Sequence, residues 1–131
     1  MGKYAVCVMS GDRHVTFLEL VLLLHGEFRK RLEPICVTPL QAGVLLYLHR
    51  CADVRLAEAA SHLGVRPPTM ADVVQDLVRK RWVIKRRSEE DRRGVRLRLS
   101  RRGKAITRSI QHHVRQIEAH AETMRETFVT V

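Results

Sequence analysis

Aromatic residues are scarce, at 5% of 131 positions, and no Phe or Tyr platform is visible, which argues against stacking recognition of single-stranded nucleic acid. Cysteine is nearly absent too. Cys7, Cys36 and Cys51 are odd in number and far apart, with no CxxC pair and no zinc-finger spacing, so a disulfide scaffold is not expected and each reads as a small buried apolar residue. Long apolar runs are missing: the stretch from Val15 to Leu24 holds Glu19, follows Asp12 and has no small-residue cleavage site after it. It is too short to cross a bilayer and is not a secretory leader, so no membrane partner and a cytoplasmic location are expected. Seven histidines are present, with His112 next to His113 and His120 on the face of His113, yet no carboxylate or cysteine set accompanies them at ligand spacing. His120-Ala121-Glu122 resembles a fragment of a deaminase signature without its cysteine pair. No catalytic residue, metal or cofactor is expected, and the chain does not read as an enzyme.

What is abundant is positive charge. Lys and Arg number 24 against 14 Asp and Glu, a formal net charge of +10, which points to a polyanionic partner. The surplus is localised. Arg79 to Lys104 holds 13 of the basic residues and only 3 acidic ones, so the rest of the chain is neutral. A chain of this length forms one domain and covers only part of its apolar surface.

Residues 1–11 show no helical pattern and form an N-terminal arm, extended or disordered; residues 12–131 read as a single domain. From Asp12, a reasonable N-cap, a helix runs to Glu33 and is stopped by Pro34. Its apolar residues nearly encircle the middle turns, so a second copy of the chain is expected to cover the side its own domain leaves bare. Thr38-Pro39-Leu40-Gln41 starts a second helix with a capping box and proline at the first helical position, carrying Leu40, Val44, Leu45 and Leu48 inward to about Asp53. A short third helix has Leu56, Ala59, Ala60 and Leu63 on one face and Gly64 as its stop; Pro67 then opens a fourth with the stripe Met70, Val73, Val74 and Leu77. Two helices joined by a tight glycine turn read as helix-turn-helix.

Two strand-like runs follow, Val83 to Arg87 and Val95 to Leu99, the second alternating aliphatic residues with arginine. A hairpin directly after such a helix is a wing, with Val95, Leu97 and Leu99 buried and Arg96 and Arg98 turned to solvent or phosphate. Ser100 caps a long helix from Arg101 to about Phe128, in which Ile106, Ile110, Val114, Ile117, Ala121, Met124 and Phe128 make a seam about 33 Å long. The fold class is mainly α with a two-stranded β-wing: a winged helix-turn-helix over 38–100, flanked by dimerisation helices over 12–33 and 101–128.

Leu63-Gly64-Val65 followed by Pro68-Thr69, then Leu77-Val78-Arg79-Lys80-Arg81-Trp82-Val83, and above all Glu90-Asp91-Arg92-Arg93-Gly94-Val95 continuing to Leu97-Arg98-Leu99-Ser100-Arg101-Arg102-Gly103, resemble the MarR family of transcriptional regulators. The resemblance covers roughly residues 12 to 125. It implies a triangular homodimer based on the terminal helices, with two winged lobes reaching successive major grooves of double-stranded DNA. By that resemblance Arg93, helped by Arg92, enters the minor groove and Asp91 holds the wing arginines in place. A narrow minor groove concentrates negative potential and attracts a guanidinium. Many such proteins release DNA when a small aromatic or phenolic effector binds between base and lobe.

The chain departs from the pattern at Asp72 and Asp76, where relatives often carry basic residues, and at Arg66, where Ser or Asp would cap the recognition helix. Either Asp72 accepts from a cytosine amino group, or the helix contributes less affinity and the wing compensates; Arg66 is read as a phosphate contact. The expected DNA-binding set is Arg66, Pro68, Thr69, Ala71, Asp72, Gln75, Arg86, Arg92 and Arg93. The expected dimer interface is Phe17, Val21, Leu24, Ile110, Ile117, Met124 and Phe128. The leading function is a dimeric sequence-specific regulator, in the sense of a repressor. The alternatives are a basic architectural protein that coats DNA and a regulator that senses redox state through a thiol.

Overall fold

Thr16 sits in extended backbone and its hydroxyl accepts a hydrogen bond from the Glu19 N–H at 3.2 Å, which fixes the start of helix α1 (Phe17–Leu32) one turn later than Asp12 would have placed it. Thr16-Phe17-Leu18-Glu19 has the residue pattern of a capping box, a stronger start signal than a lone Asp. The computed structural model describes residues 16–87 and 94–129, with side chains of the last helix up to position 123. Asp12 and the 1–11 arm lie outside the described residues. At its far end α1 tightens into a 3-10 turn, Glu33–Ile35, with Pro34 inside it.

Helix α2 (Pro39–Arg50) opens with the full reciprocal cap: Thr38 Oγ1 accepts from Gln41 N at 3.2 Å while Thr38 N donates to Gln41 Oε1 at 3.1 Å. Ala42, Val44, Leu45 and Leu48 are buried beneath it, whereas Leu40 is only half-buried. A two-residue strand β1 (Val54–Arg55) precedes helix α3 (Leu56–His62), and helix α4 (Pro67–Arg79) follows. Gly64, at φ 64°, makes the turn between α3 and α4, a left-handed conformation that costs glycine nothing. The Val65 N–H then closes back on the Ala60 carbonyl at 2.9 Å.

Strands β2 (Val83–Arg87) and β3 (Val95–Leu99) occupy the expected ranges, but the sheet has three antiparallel strands in the order β1-β3-β2. The expected two-stranded wing is β2 with β3, and β1 adds a third strand beside it through the pairs Val54↔Leu97 and Arg55↔Arg96. A strand of two residues is too short to show alternation. The core gathers Leu45 from α2, Met70, Val74 and Leu77 from α4, Leu97 from β3 and Ile110 from the last helix, all without solvent exposure.

Helix α5 (Arg101–Val129) is anchored to the sheet by Ser100. Its hydroxyl donates to the Arg81 carbonyl at 2.6 Å and accepts from Gly103 N at 2.9 Å, while its own N–H donates to the Trp82 carbonyl at 2.9 Å. Gly103 lies directly against that Trp82 carbonyl. Ile110 and Ile117, expected at the dimer interface, are 0% and 2% exposed within one chain, so the chain itself covers them and they have no surface to offer a partner. Among the described residues the exposed large apolar side chains are Phe17, Leu18, Val21 and Leu22 on α1 and Ile84 on β2; Leu24 is half-buried. Met124 and Phe128 fall outside the described side chains.

Candidate nucleic-acid interface

Helix α4 divides cleanly between two environments. Met70, Val74 and Leu77 lock one face into the core, and Pro68, Thr69, Ala71, Asp72 and Gln75 are all exposed on the other. Arg66 stands at the N-cap in extended backbone and makes no side-chain cap, while Pro67 takes the first helical position. A guanidinium cannot accept from the free N–H groups there, so the helix start leaves donors and one cation facing outward together. Asp76 is held by Arg79 one turn along, at 3.3 Å. Asp72 has no cation within reach among the described residues.

The basic segment after α4 is only partly available to a partner. Lys80 is committed to the fold: its Nζ donates to the Cys36 carbonyl at 2.6 Å and to Gln41 Oε1 at 3.4 Å, and lies 4.8 Å from the Trp82 ring centre. Arg96, expected to face solvent or phosphate, is instead tied to Asp53, reaching the carbonyl at 3.3 Å and Oδ2 at 3.5 Å. Asp53 is aimed there by its left-handed backbone, φ 58°, at the mouth of the strand that the sequence concealed. Lys85, Arg86, Arg87, Arg98, Arg101, Arg102 and Lys104 remain exposed, so the surplus charge stays on the hairpin and its flanks. Asp91, Arg92 and Arg93 lie outside the described residues.

Cys36 and Cys51 are exposed rather than buried, because both sit where helices end: Cys36 closes the 3-10 turn at φ 57° and Cys51 caps α2. Cys7 lies outside the described residues. No group of three His, Cys, Asp or Glu side chains able to hold a metal occurs among the described residues, and none of their helices is long and apolar enough to cross a membrane.

A helix-turn-helix whose second helix bares a polar face, followed by a basic antiparallel hairpin and a long return helix, is a winged helix. Residues 37–94 match the model of the MarR family. The chain has the winged-helix fold of MarR-family structures, and its central segment carries that family's sequence pattern. Among solved structures it is similar to a MarR variant from E. coli complexed with operator DNA, at 23% identity over 78% of this chain and 74% of that one, TM-score 0.72. A MarR transcriptional regulator from Methanosarcina mazei Go1 superimposes over 94% of this chain and 82% of its own, at 20% identity and TM-score 0.74. BpsR of Bordetella bronchiseptica, whose DNA binding is regulated by 6-hydroxynicotinic acid, matches at 19% identity over 78% and 77%, TM-score 0.72. Curated proteins give no significant sequence match. Within this winged-helix fold, α4 is the second helix of the helix-turn-helix and β2 and β3 form the wing. Ser100 and Gly103, which join wing to return helix, carry a role that sequence reading gave only in part: the cap was legible, the close approach of Gly103 to Trp82 was not.

Proposed function

We propose that this protein is a dimeric, sequence-specific DNA-binding transcriptional regulator that acts as a repressor in the cytoplasm. The observation that carries the reading is the pairing of an exposed, nearly cation-free face on α4 with a hairpin that, together with its flanks over 79–104, bears the whole surplus charge. Such a division separates base reading from phosphate attraction. In this reading Pro68, Thr69, Ala71, Asp72 and Gln75 enter the major groove. Asp72 accepts from a cytosine amino group, Arg66 and Arg86 take phosphates, and Arg93, with Arg92 and Asp91 beside it, works in the minor groove.

Dimerisation is supported by the four exposed apolar side chains of α1. Full burial of each stabilises association by about 1.5 to 3 kcal/mol. Phe17 and Val21 lead this surface and Leu24 borders it, in place of Ile110 and Ile117. A two-fold dimer reads half-sites about one helical turn apart. A hollow of about 760 Å³ where α1 ends and α2 begins, lined by His25, Arg29, Thr38 and Leu40 among others, is the candidate seat of a small aromatic effector, the behaviour described for BpsR.

Competition by bulk DNA tests the function. A regulator retains one palindromic duplex in a shift assay at salt and competitor concentrations that strip non-specific binding. A protein that merely coats DNA loses every duplex together, and that result would overturn the proposal.

A further inference from the structure

The face of the sheet turned away from the core carries a hollow that α4 does not line. Cross-strand register sets Ile84 opposite Arg98 and Arg86 opposite Arg96, so three arginines and one isoleucine share that face. The end of α2, through Leu48 and His49, and the first turn of α5, through Arg101 and Lys104, wall it in to about 750 Å³. That volume is in the range of small-molecule sites.

Arg86, Arg98, Arg101 and Lys104 are exposed there, and none has an acidic partner among the described residues. The one carboxylate among the described lining residues, Asp53, is already occupied by Arg96. Four cations converging from two strands and a helix repel one another and attract a multiply charged anion in proportion. Cations on a flat surface can swing apart into water; these are mounted on a β ladder and on a helix start pinned by Ser100. Ala52 and Ile84 give the hollow exposed apolar surface, beside the edges of the core residues Leu48 and Leu99, that a bare phosphate would leave wet.

We infer that this hollow binds a small polyanion carrying an apolar ring, of the nucleoside polyphosphate class, with the phosphates on Arg86, Arg98, Arg101 and Lys104 and the ring against Ile84. The inference shares Arg86 with the DNA reading but does not rest on it, because binding is measured on the protein alone. Calorimetric titration of the full chain with ATP at about 0.15 M salt is expected to show one site per chain, with inorganic tripolyphosphate binding more weakly. Arg98→Gln and Lys104→Gln should each weaken ATP about tenfold or more, since each removes a hydrogen bond to a charged group. Arg115→Gln, which removes the same charge three turns further along α5, should leave ATP affinity unchanged. Circular dichroism melting of the same variants reports whether they are folded. Equal weakening in all three variants would reduce the effect to net charge and overturn the site, and equal affinity for ATP and tripolyphosphate would remove the ring. Absence of ATP binding, with Arg98→Gln and Lys104→Gln instead weakening duplex DNA, would assign these cations to the DNA backbone and overturn the small ligand.

Discussion

Gly103→Ala is a change that helix propensity alone would recommend. Alanine in a helix interior is favoured over glycine by about 1 kcal/mol. At this position the new Cβ would overlap the Trp82 carbonyl oxygen and lie 2.9 Å from its carbonyl carbon and 3.2 Å from its Cα. The obstacle is backbone, fixed from two sides: the Trp82 N–H donates to Leu77 O at 3.0 Å and its carbonyl accepts from Ser100 N at 2.9 Å. Overpacking typically costs about 1 to 3 kcal/mol, and rigid backbone places this case at the upper end. Subtracting the propensity gain leaves a net loss of about 2 kcal/mol, equivalent to a fall in Tm of roughly 8 °C for a domain of this size. Gly26→Ala supplies the comparison: it too is helical, but nothing lies within 4 Å of its added Cβ, so it should gain up to about 1 kcal/mol. Thermal denaturation followed by circular dichroism, at one protein concentration, reads both variants. If Gly103→Ala melts at or above the wild-type temperature, the tight junction between wing and α5 is wrongly described.

Phe17→Asp combined with Val21→Asp alters residues exposed in the single chain, so sedimentation should find a folded monomer; a dimer of unchanged strength would move the interface elsewhere. Ile110→Asp, by contrast, places an unpaired charge in the core and should unfold the chain, which loss of its far-ultraviolet helical signal would register. Thr38→Ala removes one half of the capping box on α2 and should cost about 1 kcal/mol in chemical denaturation, with a silent result refuting the role of the cap. Arg93→Ala should weaken operator binding at least tenfold, from an expected cost of about 1 to 3 kcal/mol per lobe, while Asp72→Ala leaves affinity equal or higher and loosens sequence preference. Normal binding by Arg93→Ala with loss of binding by Asp72→Ala would replace the wing with the helix as the main source of affinity.

Local signals decided most of the fold. The capping box at Thr38, Pro67 at a first helical position, Gly64 after a short helix and the alternation from Val95 to Leu99 each act over a few residues, and each appears in the structure where the sequence placed it. Strand β1 escaped notice because two residues carry no period and its existence depends on β3, some forty positions away. The burial of Ile110 and Ile117 was misjudged for a related reason. A seam along one helix shows that something covers it, but not whether the cover is α1 and α2 of the same chain or a second copy. Charge was legible as a total and not in its allocation. Lys80 and Arg96 count toward the basic segment, yet the first is spent on a helix-end carbonyl and the second on Asp53, contacts set by tertiary geometry.

Genomic footprinting of the purified protein reads site, spacing and specificity in one experiment. A dimeric regulator should protect a small number of palindromes with two half-sites about one helical turn apart, each persisting at salt that removes protection elsewhere. Uniform protection that disappears everywhere at the same salt, or single unpaired half-sites, would contradict a dimeric sequence-specific regulator.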